Sequence, residues 1–342
     1  MLGRSAKPTQ IHVFGKTDLG RVREHNEDRF LVADLSRKEA SLLPHVRDHE
    51  VGAHGSLLVV ADGMGGAAAG EVASEMAADT IYEQLLKTWT REPAPTAQVF
   101  ALRLREAVEA ANSQIHSHAK AHPEVRGMGT TTTAVGVLGH QVFLTQVGDS
   151  RAYLIRDGTA YQLTKDQSLM QRLVEAGELT EEEAAQSERR NIILQALGPE
   201  PRVRVDLTYQ ELQREDVLVL CSDGLTGLVK KEEIGAIAGS ERDLPVACDR
   251  LIALANERGG QDNITVIIAR FDGPGLPVAV GEAPGHQVYP LIDTETSTEP
   301  VPVYRGSPPP LPATRVRSRA VLVFLLLAAV LGLALYFFSQ RP

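Results

Sequence analysis

Cysteine and tryptophan are almost missing from this chain of 342 residues: two cysteines and one tryptophan, with aromatics at only 5%. Cys221 and Cys248 both stand beside apolar runs. Two thiols cannot build the disulfide framework of a small secreted scaffold, so a reduced, cytosolic compartment is the simpler reading. The N-terminus, MLGRSAKPTQIHVFG, contains no apolar stretch of the kind that a secretory signal needs. Positive charge is also in deficit. Lys and Arg total 35 against 44 Asp and Glu, a formal net charge of −9. That balance argues against a nucleic-acid surface.

What is present is a globular composition, 43% hydrophobic and 23% charged. Strand signals are short and frequent: 29–33, 56–61, 131–138, 141–147, 152–156, 203–208, 217–221 and 264–270. Gly139-His140 and Asp157-Gly158 punctuate two hairpins. Two long helices fit between strands. In 70–88, Ala73, Ala77, Ile81 and Leu85 recur every four residues; in 96–119, Phe100, Leu104, Val108, Ala111 and Ile115 share one face, with Thr96 as its cap. The order of elements predicts an α+β layered fold spanning residues 8–272. A charged stretch, 168–190, reads as a solvated helical insertion.

Beyond residue 272 the composition changes. Ten of the 19 prolines fall between Gly273 and Thr314, which predicts an extended, core-free tether. Arg315, Arg317 and Arg319 follow, and then 320–338, AVLVFLLLAAVLGLALYFF, without a charge. At 1.5 Å per residue this spans roughly 28 Å, enough for a bilayer's hydrocarbon core. The arginines place the folded part in the cytoplasm, anchored to the plasma membrane by one C-terminal helix.

Acidic residues recur where strands end beside small residues: Glu27 and Asp28 in EHNEDRF, Asp62 in VVADGMGG, Asp149 in VGDSRAY, Asp223 in LCSDGLTG and Asp262 in GGQDNITV. Each alone is an ordinary turn. If these strand ends meet at one rim, the like charges need neutralising, and hard divalent cations with oxygen ligands do that. Other chemistries fail. Gly15-Lys16-Thr17 imitates a phosphate loop, but Gln10 stands at the required earlier glycine; Gly227 stands where a thiolate phosphatase would need arginine; His116, His118 and His122 read as helix surface.

The segments GRVREHNEDRF, VVADGMGG, GMGTTTTAV, VGDSRAYLIRDG, LTKDQSL, RRNIILQALG, LVLCSDGLTG and GGQDNITVII, in this order, resemble the metal-dependent protein phosphatases of the PP2C type, especially bacterial partners of Ser/Thr kinases. The resemblance implies an α-β-β-α sandwich of two antiparallel sheets flanked by helices. It implies hydrolysis of phosphoserine and phosphothreonine by a metal-activated water, with two Mn²⁺ or Mg²⁺ ions. Asp62 would bridge them, with Glu27 and the Gly63 carbonyl on one ion and Asp223 and Asp262 on the other. Asp28 would orient water, Arg23 would clamp the substrate phosphate, Asn263 would support Asp262, and Asp149 would tie a strand corner to the core. The insertion at 168–190 corresponds to the family's flap. Two positions depart from the pattern. Met64 replaces the proposed acid of animal members, and Gly127 stands where some bacterial members hold a third ion, so a third ion stays open. Two other readings also stay open: a phosphoprotein-binding module on the same scaffold, and a phosphatase dedicated to one regulatory phosphoserine protein.

Overall fold

The computed structural model describes residues 8–278 and 283–291. Seven strands form one antiparallel sheet: β2 (Asp28–Asp34), β3 (Glu39–Ala40), β5 (Ser56–Met64), β6 (Gly129–Thr130), β7 (Thr132–Leu138), β8 (Gln141–Val147) and β11 (Asp206–Glu211). Six form the other: β1 (Gln10–Asp18), β4 (Asp48–Glu50), β9 (Arg151–Arg156), β10 (Thr159–Gln162), β12 (Val217–Cys221) and β13 (Ile264–Asp272). A single turn, α1 (Pro44–Arg47), precedes β4. The long helices α2 (Ala67–Lys87) and α3 (Ala97–Ala121) cover the first sheet. The flap contains α4 (Leu169–Glu175) and α5 (Glu181–Gln186). After β12 come α6 (Asp223–Thr226), α7 (Lys231–Ser240) and α8 (Leu244–Glu257), of which α7 and α8 cover the second sheet.

The apolar runs LLVVA, VLVLC and ITVIIA follow from these layers. A strand buried on both faces cannot alternate with polar residues. Leu57 and Val59 face α2 and α3, whereas Leu58 and Val60 face the other sheet. Leu218 and Leu220 join that central core, while Val219 and Cys221 pack under α7 and α8. The result is three parallel cores and the expected four-layer sandwich. Both cysteines are buried and free, and burial pushes each thiol up to about 12.

Local chemistry sets several boundaries. The Thr96 side chain accepts from Val99 N at the start of α3. Asp157 (φ 51°) and Gly158 (φ 77°) make the left-handed turn that joins β9 to β10, in register Arg156 to Thr159. The expected strand at 203–208 instead begins at Asp206 and continues to Glu211, because it pairs from Gln146 back to Gln141 of β8. Strand β1, not expected, carries Gly15-Lys16-Thr17; Gly15 leaves room for the Phe30 ring, which an added Cβ would approach to 2.7 Å.

The domain does not stop at 272. Leu276 is buried, and Gly275 N donates to Pro8 O. Residues 287–289 add to the free edge of β11: Tyr209 N donates to Gln287 O and Tyr289 N to Leu207 O, both at 3.0 Å. Tyr289 packs edge-on against Phe143 and Tyr209, with centroids 5.2 and 5.3 Å away. Proline content misplaced the start of the tether, since an edge strand can accommodate proline where its N–H is not needed. Among the described residues no helix is long and apolar enough to cross a membrane. The expected anchor at 320–338 and its basic flank at 315–319 lie outside the described residues.

Candidate metal centre

Strand register collects the acidic residues. Asp28 at the start of β2 pairs with Asp62 near the end of β5. In the other sheet Cys221 pairs with both Val266 and Arg151. The end of β12, the start of β13 and the start of β9 therefore share one rim, which brings Asp223, Asp262 and Asp149 to the same side. The β8–β9 connection passes from one sheet to the other at this rim, so the two sets of carboxylates face each other.

At this rim the carboxylates act on one another. Burial, followed by repulsion from Asp28, Asp223, Asp149 and Asp262, pushes the Asp62 carboxyl well above the usual carboxylate range. Asp223 rises through burial and then Asp262. Burial lifts Asp28 to about 7 despite hydrogen bonds from Thr265 and Ser222, with Asp223 adding to the rise. Asp149 reaches about 8 through burial and Asp223. Asp149 therefore belongs to the acidic cluster. The strand corner it was expected to tie is held by neighbours: Thr133 Oγ1 donates to Gln146 Oε1 (2.7 Å), and Gln146 Nε2 donates to Ser150 O (2.8 Å).

Glu27, Asp28 and Asp62 each have a support of their own. Asn263 is the central one: its Oδ1 accepts from Glu27 N (2.8 Å), and its Nδ2 donates to Leu19 O (3.0 Å) and His25 O (2.9 Å). One buried amide thus fixes the 19–27 loop that carries Arg23 and Glu27. Ser222 Oγ donates to Asp28 Oδ2 (2.7 Å). Thr131 N and Thr130 Oγ1 both donate to Asp62 O, at 2.8 and 2.9 Å. Gly63 has no space for a side chain: an added Cβ would lie 2.2 Å from Gly70 O and 2.6 Å from Glu27 O. Gly70 in turn leaves room for Glu27, whose Oε2 would be 2.2 Å from a Cβ there.

Ser222, Thr131 and Gly70 were not singled out from sequence. Ser222 directly precedes Asp223, and the two Thr residues open a TTTT run, but only the register shows what they reach. Arg23 lies at the mouth, with Nη2 donating to Asp262 Oδ2 at 2.8 Å. Met64 is half-buried and paired with Gly129. Gly127 adopts φ +84°, a conformation that strains any aspartate placed there. His116 is not simple surface: its Nδ1 bonds Gly198 O at 2.8 Å. His118 and His122 stack on each other with centroids 4.2 Å apart.

The donor set suits hard divalent ions. Every charged candidate ligand is a carboxylate, and Asp28 Oδ1 and Asp223 Oδ1 are buried with no hydrogen-bond partner. Among the described residues no group of three or more acidic, histidine or cysteine side chains is placed to hold a metal ion between them. A two-ion site does not require that, because small hard ions keep several waters and take one or two carboxylates each.

Comparison with known proteins leads to the same place. Residues 45–261 match the family model described as protein phosphatase 2C. The chain is 39% identical over 259 residues to the serine/threonine phosphatase stp of Listeria welshimeri, covering 75% of this chain and 95% of that one. Its fold matches the crystal structure of the Mycobacterium tuberculosis serine/threonine phosphatase PstP/Ppp (TM-score 0.64, 35% identity, 77% of this chain and 99% of that one). It also matches the catalytic domain of PstP in complex with two manganese ions (TM-score 0.62, 36% identity, 77% and 99%). With the four layers, the acidic rim and these likenesses in agreement, the chain belongs to the protein phosphatase 2C family.

Proposed function

We propose that the acidic rim holds two Mn²⁺ or Mg²⁺ ions and hydrolyses phosphoserine and phosphothreonine in proteins. The chain is a serine/threonine protein phosphatase. The observation that carries the metal reading is the convergence of buried carboxylates, two of them with an unpartnered oxygen, at one rim of the sandwich. Asp62 would be shared between the ions, with Glu27 and the Gly63 backbone on one side and Asp223 and Asp262 on the other. When bound, the ions neutralise this charge and make water acidic enough to attack phosphorus near neutral pH.

The chain's own residues orient the reaction. Asp28, held by Ser222 and with its buried Oδ1 unpartnered, would orient the water that the ions supply. Arg23 stands at the mouth, where a phosphate dianion offers its planar fork a better acceptor than one oxygen of Asp262. Met64 has no transferable proton, so the departing serine or threonine oxygen takes its proton from water or from another group at the site.

Purified protein is expected to hydrolyse a phosphothreonine peptide with Mn²⁺ and to stop on adding EDTA. Asp62→Asn and Asp223→Asn should abolish turnover while still melting cooperatively. Full rate in either variant refutes the assignment.

The charge-free stretch 320–338 and its arginines support anchoring of a cytoplasmic catalytic domain to the plasma membrane, where it would oppose a Ser/Thr kinase at raised effective concentration. Removing residues 315–342 should leave peptide hydrolysis intact and move the protein to the soluble fraction. A truncated chain that still sediments with membranes contradicts the anchor.

A further inference from the structure

The outer face of the second sheet is apolar where α7 and α8 cover it, but not at one corner. There Asp48, His12 and Arg270 stand abreast on β4, β1 and β13, because His12 pairs with Asp48 on one side and with Arg270 on the other. Directly opposed residues share one face of a sheet. Ile11, Val13, Ala269 and Phe271 point into the central core, so this polar row points the other way, toward the helices. Arg47 of α1, Arg242 and Asp243 of the α7–α8 connection, and the first residues of α8 complete a cavity of about 380 Å³ over the row. It lies far from the acidic rim. Asp18 pairs with Ile264, two residues after Asp262, whereas His12 pairs with Arg270, six residues further along β13. At about 3.3 Å per residue that separation is roughly 20 Å.

The charges around this cavity are unevenly matched. Asp48 Oδ1 is taken by His12 Nδ1 at 2.8 Å, and Asp243 caps α8 by accepting from Val246 N. Among the described residues the Arg47 guanidinium has no hydrogen bond and no ion pair; it lies over the Phe14 ring, 4.9 Å from the centroid, with Nε buried and unpartnered. Arg270 is only 9% exposed. Its Nη2 donates to Ala238 O (3.3 Å) and Glu241 O (2.9 Å), and its Nε is also buried without a partner. Glu215 Oε2 stands 3.8 Å from Arg270 Nη1 and 3.4 Å from Arg242 Nη2, so one carboxylate at long range serves two guanidiniums. Burial lowers the Arg270 pKa below the ordinary arginine value, Glu215 opposes this only in part, and the Arg242 charge adds to the fall.

We propose that this corner binds a phosphoryl dianion, either free phosphate or the phosphate of a small monoester, between the Arg47, Arg242 and Arg270 guanidiniums and the start of α8. Planar guanidiniums match phosphate oxygens, and the N-terminal end of a helix favours negative charge. The anion supplies the partner that Arg47 lacks and that Arg270 and Arg242 share at long range. The volume is in the range of sites for small organic ligands. The site is independent of the metal centre and of the reaction proposed there.

The test is calorimetric titration of the full chain in EDTA, where the bare acidic rim repels anions, with inorganic phosphate and separately with glycerol 3-phosphate. Both should bind saturably, one per chain. Equal affinity makes free phosphate the ligand, and tighter binding of glycerol 3-phosphate makes it a small monoester; either result supports the site. Arg47→Ala and Arg242→Ala should each raise Kd about ten-fold, the worth of one charge-assisted hydrogen bond, and Arg23→Ala should leave it unchanged. The Arg47 side chain makes no hydrogen bond and Arg242 is exposed, so both variants should melt like the wild type. No saturable binding in the wild type, an unchanged Kd in both cavity variants, loss of binding in Arg23→Ala, or equal competition by acetate overturns the proposal.

Discussion

At the scale of single residues, the site is a set of acids held in an unfavourable state by burial and by one another. In the unfolded chain an aspartate loses its proton near pH 4, whereas Asp28 and Asp149 keep theirs until about 7 and 8. Between these limits the metal-free native state binds more protons than the unfolded state, so its stability falls as pH rises. In EDTA the protein should therefore melt higher at about pH 5.5 than at about pH 8, and Mn²⁺ should reverse that order by binding the ionised carboxylates. Thermal melts at both pH values, with and without metal, decide this.

Two other single residues matter although they touch no ion. Asn263→Ala removes three hydrogen bonds to the 19–27 loop and should weaken Mn²⁺ activation by about 10- to 100-fold, the usual cost of losing a support behind a ligand. Gly70→Ala puts a methyl group against Glu27 Oε2. The end of that side chain can move, but the methyl also comes within 2.9 Å of the Gly63 backbone carbon, so the ligand strand must shift and the Mn²⁺ concentration for half-activation should rise. Unchanged metal titrations in both variants would remove the proposed support. Neither role was readable from sequence for Gly70, because a glycine inside a helix announces only a small volume. The ligand candidates themselves were legible, since each acid stands at the end of an apolar run.

At the scale of elements, short-range chemistry was readable and pairing was not. The Asp157-Gly158 hairpin and the Thr96 cap follow from residue type alone. Strand β11 was misplaced by three residues because its position depends on β8, some sixty residues earlier in the chain. Strand β1 is not among the expected strands, although Ile11 and Val13 alternate with polar neighbours, because its place depends on pairing with β13 at the far end of the domain. The added segment at 283–291 is the largest element-level difference. It covers the β11 edge, which would otherwise be open to pairing with another chain. Tyr289→Ala removes two aromatic contacts and should cost about 1–3 kcal/mol. A chain ending at residue 272 should melt lower than one ending at 291, and chemical denaturation of the two measures the difference. Identical midpoints would mean that the segment is only resting on the domain.

At the scale of the whole molecule, three stacked cores explain why a phosphatase domain can keep its acids at one rim. Both sheets are buried on both faces, so their strands hold position and the rim does not spread under charge repulsion. Trp89 shows how closely the outer core is filled. It is fully buried, packs at a tilt against Phe100 with centroids 4.8 Å apart, and donates Nε1 to His54 O at 2.7 Å. Trp89→Ala should cost about 3–5 kcal/mol and lower activity only through loss of folded protein. Normal specific activity per folded molecule is the expected result; a selective loss of kcat would mean that this core also sets the rim.

By itself the sequence determined the residue types that the chemistry needs, the α+β class and the doubly buried strands, because each is written in local composition and periodicity. It also determined the order of motifs that identifies the family. The tertiary structure decided which acids meet, that Asp149 joins them, and that Asn263, Ser222, Thr131 and Gly70 hold them. Those are distances between residues far apart in the chain. They depend on strand register and layer packing, to which every strand contributes and which no local stretch records.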